Sequence, residues 1–415
     1  MVGPATDHRE RHAIAHLRSP GAIRERCERV LVRGLEGQLE HFSIHLDRLR
    51  SVAERVVEVT RRTYPGLDIP LHSRWNHFRA GGVDRVGELD ARLADFAPDE
   101  RARCRLDLTV VSVLLDAGAG PNWSYHERES DRNFCRSEGL AVASFRLFLD
   151  GGFCGDDRGL RADAAGLESM TEERLAQGFQ ACDDNLLAGL AGRAALMRSL
   201  GKALRAVAVF SRDDAPRVGN LFDHLNARAC GGVVSAASVL GAVLEGFGPI
   251  WPRGTSIGSV RLGDVWRHPA AGGTGLGEGL VPFHKLSQWL TYSLIEPLEA
   301  GGLKVGKLDE MTALAEYRNG GLLVDMGVLE PKHEDVTAAV HAPGSEIIVE
   351  WRALTVALIE RVAQAVRETL GLDRQALPLG KVLEGGTWRA GREVAEECRA
   401  GGVPPIRIES DGTVL

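Results

Sequence analysis

The chain has 415 residues, 44% hydrophobic and 26% charged, with Lys+Arg 50 against Asp+Glu 57 and a formal net charge of -7. That balance belongs to a folded globular protein and excludes a disordered chain, while the length allows one large domain or two ordinary ones. The acidic surplus lacks the basic footprint of a nucleic-acid binder, and no run approaches the ~20 apolar residues of a membrane span, so neither nucleic acid nor a membrane is expected as a partner.

The N-terminal stretch MVGPATDHRERHAIAHLRS carries no apolar core of a signal peptide. The seven cysteines are irregularly spaced and form no CxxC, which points to reduced thiols and a cytoplasmic location. Residues 1–18 read as a tail and 19–415 as a single large helical domain, with a candidate subdomain break near 247–258. Ser19-Pro20 supplies a helix cap and first position, and Ile23, Cys27, Val30 and Leu31 mark the buried stripe that follows. Similar periodicity predicts helices near 46–63, 102–116, 137–150, 185–205, 232–246 and 283–299. The clearest is 346–371, where Ile347, Trp351, Leu354, Leu358 and Val362 share a face, Ser345 is the expected cap and Gly371 the stop. Candidate strands are short, for example 406–408, so the fold class is mainly α.

Several motifs resemble active-site signatures but lack their context. Gly254-Thr-Ser256-Ile-Gly258 has the GxSxG pattern of a nucleophile elbow, without the strand before it and helix after it, and reads as a turn. The run 301–307, GGLKVGK, lacks the Ser/Thr of a P-loop and follows a helix, so Gly301-Gly302 reads as a helix stop. Glu278 stands where a dinucleotide fingerprint beginning at Gly273 needs glycine. His72 and His77 are five apart, and His268, His284 and His341 are isolated, so no metal and no cofactor is expected.

Four polar constellations remain. In the helix from Phe283, Lys285, Trp289, Tyr292 and Glu296 share a stripe beside Phe283, Leu286, Leu290 and Leu294, forming either a pocket wall or an ordinary boundary face. Glu316-Tyr317-Arg318-Asn319-Gly320-Gly321 ends a helix-like run, where Glu316 can project into a cleft or pair locally with Arg318. Asp116-Ala-Gly118-Ala-Gly120-Pro-Asn122-Trp123 reads as a binding loop or a plain helix stop, and 381–388, KVLEGGTW, has the same look. Glu350 lies at the edge of the Trp351 stripe, a place for a partly buried acid. Arg352 points to the opposite face, toward the surface or a neighbouring helix.

These blocks, with IPLHSRWNHFRAGGVDR at 69–85, RSEGLAVASF with Glu138, DDNLLAGLAGRAALM at 183–197, GDVWRHP at 263–269 and SDGTVL at 410–415, resemble the uracil catabolism protein 4 family from about residue 20 to the end. The resemblance implies a role in a pathway that breaks uracil down through ring-opened ribosyl intermediates and releases urea. A more distant resemblance, to the queuosine salvage N-glycosidases, is carried by Glu316-Tyr317-Arg318 through Leu329, Ile348–Arg352, Phe283-His284-Lys285 and Leu186-Leu187 to Arg193. It implies a helix-hairpin-helix, DNA-glycosylase-like fold and cleavage of an N-glycosidic bond. Those enzymes carry Asp where this chain has Glu316, and the double glycine also departs from their pattern, departures that bear on the substrate more than on the reaction.

The expected reaction is hydrolysis of ribosylurea or its 5′-phosphate. Glu316 is expected to stabilise the ribosyl cation or activate water, and Lys285 to bind a phosphate or assist the leaving group. Trp123, Trp289 and Tyr292 are expected to wall the pocket, while Asp116, Glu138, Arg318, Glu350 and Arg352 contact substrate or orient partners. The expected partners are a small ribosyl substrate and other enzymes of uracil breakdown. Two alternatives stand: an amide-bond hydrolase acting on a ring-opened ureido compound, through Ser256 or a metal, and a non-catalytic carrier.

Overall fold

The computed structural model describes residues 8–156, 159–212, 216–251 and 254–409; the block at 410–415 lies outside them. The fold is mainly α, with short strands joined into two-stranded ladders. The chain forms two compact units. Among the described residues no helix is long and apolar enough to cross a membrane, and no cysteine is in a disulfide.

The first unit comprises residues 8–72, 254–288 and 307–409. Its centre is the helix Glu346–Leu370, which packs on Pro20–Leu35 and on Leu49–Thr63. The shorter helix Tyr317–Asp325 packs on it and on Trp388–Cys398. The Ser19 hydroxyl accepts the Ala22 N–H, and Gly371 closes the long helix with a left-handed φ of 68°, both as the sequence leads one to expect. Ser345 adopts the extended cap conformation, but its side chain makes no capping bond.

The double glycine at 320–321 has a packing reason. A Cβ on Gly320 would sit 2.7 Å from the Trp351 indole and the Thr355 hydroxyl, so only glycine lets these two helices approach. The 254–258 motif is a small hairpin, with Ser256–Ile257 pairing Val260–Arg261, and not a nucleophile elbow.

The run 381–388 is the main departure from the sequence reading. It is helical throughout: Leu379–Val382 continues into a π-turn at Leu383–Thr387 and then into Trp388–Cys398. Its Gly-Gly pair reads as a break, yet it serves close packing. A Cβ on Gly386 would lie 2.5 Å from Val56 Cγ1 and 2.7 Å from the Val56 carbonyl. Gly386→Ala is therefore expected to destabilise the protein by about 1–3 kcal/mol, because backbone cannot yield as a side-chain tip can. Chemical denaturation would measure it, and an unchanged midpoint would show that the π-turn has slack.

The second unit comprises residues 73–251 and 289–306. Here Pro98–Leu114 packs on Arg136–Leu149 and Asn220–Asn226, while Leu190–Ala206 packs on Ala164–Glu168 and Glu172–Gly178. From Leu106 to Leu114 the first of these helices is buried all round, which explains its largely apolar run there. A hairpin pairs Ser124–Glu127 with Arg132–Cys135, and Val233–Ser235 runs parallel to Lys304–Gly306. Gly302, with φ of 90°, ends the preceding helix, so 301–307 is a helix stop and a strand.

Candidate functional site

In the first unit, Glu316 is the capping residue of Tyr317–Asp325, in an extended conformation that turns the chain sharply. Its carboxylate makes no capping bond. It lies 3.8 Å from His72 Nε2, while Nδ1 of the same ring lies 2.9 Å from Glu384 on the π-turn. The backbone N–H of His72 donates to the Gly380 carbonyl, which fixes the ring's segment against that turn. The Tyr64 hydroxyl donates to the other Glu384 oxygen at 3.3 Å. The π-turn is thus the device that delivers Glu384, and such turns recur at functional positions.

The imidazole therefore stands between two carboxylates, with all three side chains largely buried. Burial opposes its charge, but pairing with Glu316 and Glu384 outweighs that and raises its pKa to about 10. Burial also opposes the Glu316 carboxylate. The His72 contact and charge, with the Lys285 charge, outweigh it and hold Glu316 below the ordinary glutamate range. Both shifts favour the ion pair, a Glu316 carboxylate against a His72 imidazolium. Burial and Glu384 push the Tyr64 hydroxyl up to about 12, so it stays protonated and donating.

The raised pKa of His72 ties stability to pH. The stability it contributes is fully present below the ordinary value of 6.5 and is lost as pH rises through about 10. His72 is expected to show imidazolium chemical shifts at pH 7.5 and to titrate near 10 by NMR. A neutral ring at pH 7.5 would remove the triad.

Lys285 opens the helix Lys285–Ala300, two residues later than the sequence suggests, because Leu280–Pro282 is a strand and His284 has a φ of 47°. Its backbone N–H donates to Asp264 at 3.1 Å. The half-buried side chain makes no ion pair among the described residues. The cluster thus balances two carboxylates, Glu316 and Glu384, against two cations, His72 and Lys285.

The other first-unit candidates are engaged elsewhere. Glu350 accepts the backbone N–H groups of His41 and Phe42 at 3.1 and 2.9 Å. Arg318 donates to the Gly402 carbonyl and stacks on Tyr317. Arg352 does not take the surface option: it is only 2% exposed, forms a two-pronged pair with Asp264 at 2.7 Å, and lies 4.1 Å over the Phe283 ring. The helical wheel points it away from the Trp351 stripe, but this part of the helix is buried on every side.

The second unit holds a separate polar cluster around Arg74, which is fully buried. Its guanidinium donates to Ser112 Oγ at 2.7 Å and to the Ser137 carbonyl at 3.1 Å, and it pairs with Asp116 at 3.1 Å. The Trp289 ring lies 5.8 Å away, with His77 against the indole. Burial lowers the Arg74 pKa, opposed by Asp116 and then Glu138. Nearby in sequence to none of these, Arg193 donates to the carbonyls of Leu115, Ala117 and Gly118 and so shapes the Asp116 loop. Burial lowers its pKa to about 10, with Asp116 opposing.

Asp116, Glu138 and Trp289 are thus gathered about one arginine, and Tyr292 is buried on the same helix as Trp289. Trp123 is a core residue: its indole N–H donates to the Phe179 carbonyl and the rings pack together. Sequence reasoning missed His72, Glu384, Tyr64, Asp264 and Arg74 as site residues. All of them except Tyr64 lie in the blocks quoted above, at 69–85, 263–269 and 381–388, which was the available signal.

The fold and this geometry define a mainly α protein with a buried carboxylate–imidazole–carboxylate cluster. The chain belongs to the uracil catabolism protein 4 family. The family profile described as "Protein of unknown function (DUF1688)" matches residues 16–415. The chain is 39% identical to "Protein urg3" of Schizosaccharomyces pombe, over 97% of this chain and 99% of that protein. It is 37% identical to "Uracil catabolism protein 4" of Lachancea kluyveri, again over 97% and 99%.

Proposed function

We propose that this protein acts in uracil catabolism as a hydrolase of an N-glycosidic bond, with ribosylurea or its 5′-phosphate as substrate and urea as a product. The pathway follows from the name of the Lachancea kluyveri relative. The reaction type rests on one observation: a largely buried Glu316 carboxylate 3.8 Å from His72 Nε2, a placement that favours its anion. Cleaving a C1′–N bond builds positive charge on the ribose, and a fixed anion in a low-dielectric site stabilises that charge. The electron pair of the breaking bond goes to the urea nitrogen, which takes a proton. Water bonds to C1′ and gives up a proton. The depressed pKa of Glu316 suits it to stabilising the cation more than to accepting that proton. Lys285 would bind the phosphate or support the leaving group. The resemblance to the queuosine salvage N-glycosidases supports the same reading. The test is to incubate the purified protein with ribosylurea and with its 5′-phosphate and assay free urea. Release from either supports the reading, and release from neither removes the substrate.

A further inference from the structure

We infer that His41, Glu346 and Glu350 bind one divalent transition-metal ion. Each offers a ligand atom, and these atoms lie within 4.8 Å of one another. Glu346 and Glu350 are four apart on the helix Glu346–Leu370 and so share a face, while His41 immediately precedes the strand Phe42–Ile44.

Glu350 is the key ligand. Its side chain is completely buried, yet among the described residues no lysine or arginine pairs with it. One carboxylate oxygen accepts two backbone N–H groups, and the other, Oε2, has no hydrogen bond. A buried carboxylate left without a cation is costly, and a bound cation supplies what the protein does not.

His268 supplies the second observation. Its Nδ1 accepts the Ala270 N–H at 3.1 Å, so the neutral ring carries its proton on Nε2. Nε2 is itself buried without a hydrogen bond and lies 3.4 Å from Glu350 Oε2. That places a donor behind the carboxylate, the usual arrangement for orienting a metal ligand from outside the coordination sphere. One imidazole and two carboxylates suit zinc, manganese, iron or cobalt better than calcium or magnesium. Glu346 is exposed and His41 half-buried, which leaves room for water on the ion. The positive end of the helix opposes a cation here, but that is a partial charge against two full ones. Sequence spacing hides the set because His41 lies 309 residues from Glu350.

None of these residues belongs to the His72–Glu316–Glu384 cluster, so the test reads binding and not urea release. Chelator-treated protein is titrated with Zn²⁺ by calorimetry and with Co²⁺ by visible absorption. The expected result is one saturable site with ligand-field bands for Co²⁺. Glu346→Gln, at an exposed position that spares the fold, and His41→Ala should each weaken it at least about tenfold, and His268→Ala about 10–100-fold. His126→Ala, a surface histidine elsewhere, should leave it unchanged. Absence of saturable binding, or equal affinity in Glu346→Gln and His41→Ala, would overturn the inference.

Discussion

Glu316→Gln is expected to lower kcat for the proposed ribosylurea cleavage by about 10²- to 10³-fold, the loss typical of removing one preorganised electrostatic group. The substitution keeps shape and hydrogen-bonding capacity but removes the negative charge that faces His72 Nε2. The cation that forms at C1′ then loses its counter-charge, while ground-state binding of a neutral sugar changes little. KM should therefore move less than kcat. Folding should survive, because His72 keeps its 2.9 Å contact with Glu384. Steady-state urea release, with a melting curve on the same sample, checks both parts. Full turnover in a folded Glu316→Gln protein would sink the role assigned to this carboxylate.

Asp264→Asn is expected to give the largest loss of stability, about 3–5 kcal/mol, because it leaves a buried guanidinium without its charge partner. Asp264 accepts two bonds from Arg352, one from the Trp266 indole and one from the Lys285 backbone N–H. Burial opposes its charge, but Arg352 and then the indole and backbone donors more than compensate and hold it well below the ordinary aspartate value. With a depressed pKa, the stabilisation is present above the ordinary value of 3.8 and is lost only as pH falls below it. Urea unfolding at neutral pH measures the loss. Because Asp264 also fixes the first turn of the Lys285 helix, the same change should disturb the position of Lys285. A midpoint close to wild type would show that water compensates Arg352.

The helices were legible where one face alone is apolar or where caps are explicit. Ser19-Pro20 and Gly371 mark their helix ends in sequence as they do in space. Glu316 was legible because a polar residue precedes a sharp chain turn and a double glycine. The rest of its cluster was not. The partner of His72 on the π-turn is 312 residues away, and a glycine pair there reads as a break while it serves contact with Val56 and Thr60. The surface option for Arg352 fails because a helical wheel assigns an outside to residues 348–359, which are buried all round. Trp123 shows the converse, an aromatic in a glycine-rich stretch that looks like a pocket wall and is core.

The proposed reaction breaks the bond that joins C1′ to nitrogen. Ribosylurea labelled with ¹³C at the carbonyl, followed by ¹³C NMR during turnover, tests it most directly. Cleavage of the N-glycosidic bond predicts that all the label appears in intact urea, with free ribose in equal amount. Label appearing in bicarbonate, with release of ammonia, would mean that an amide bond is cut and would contradict the account.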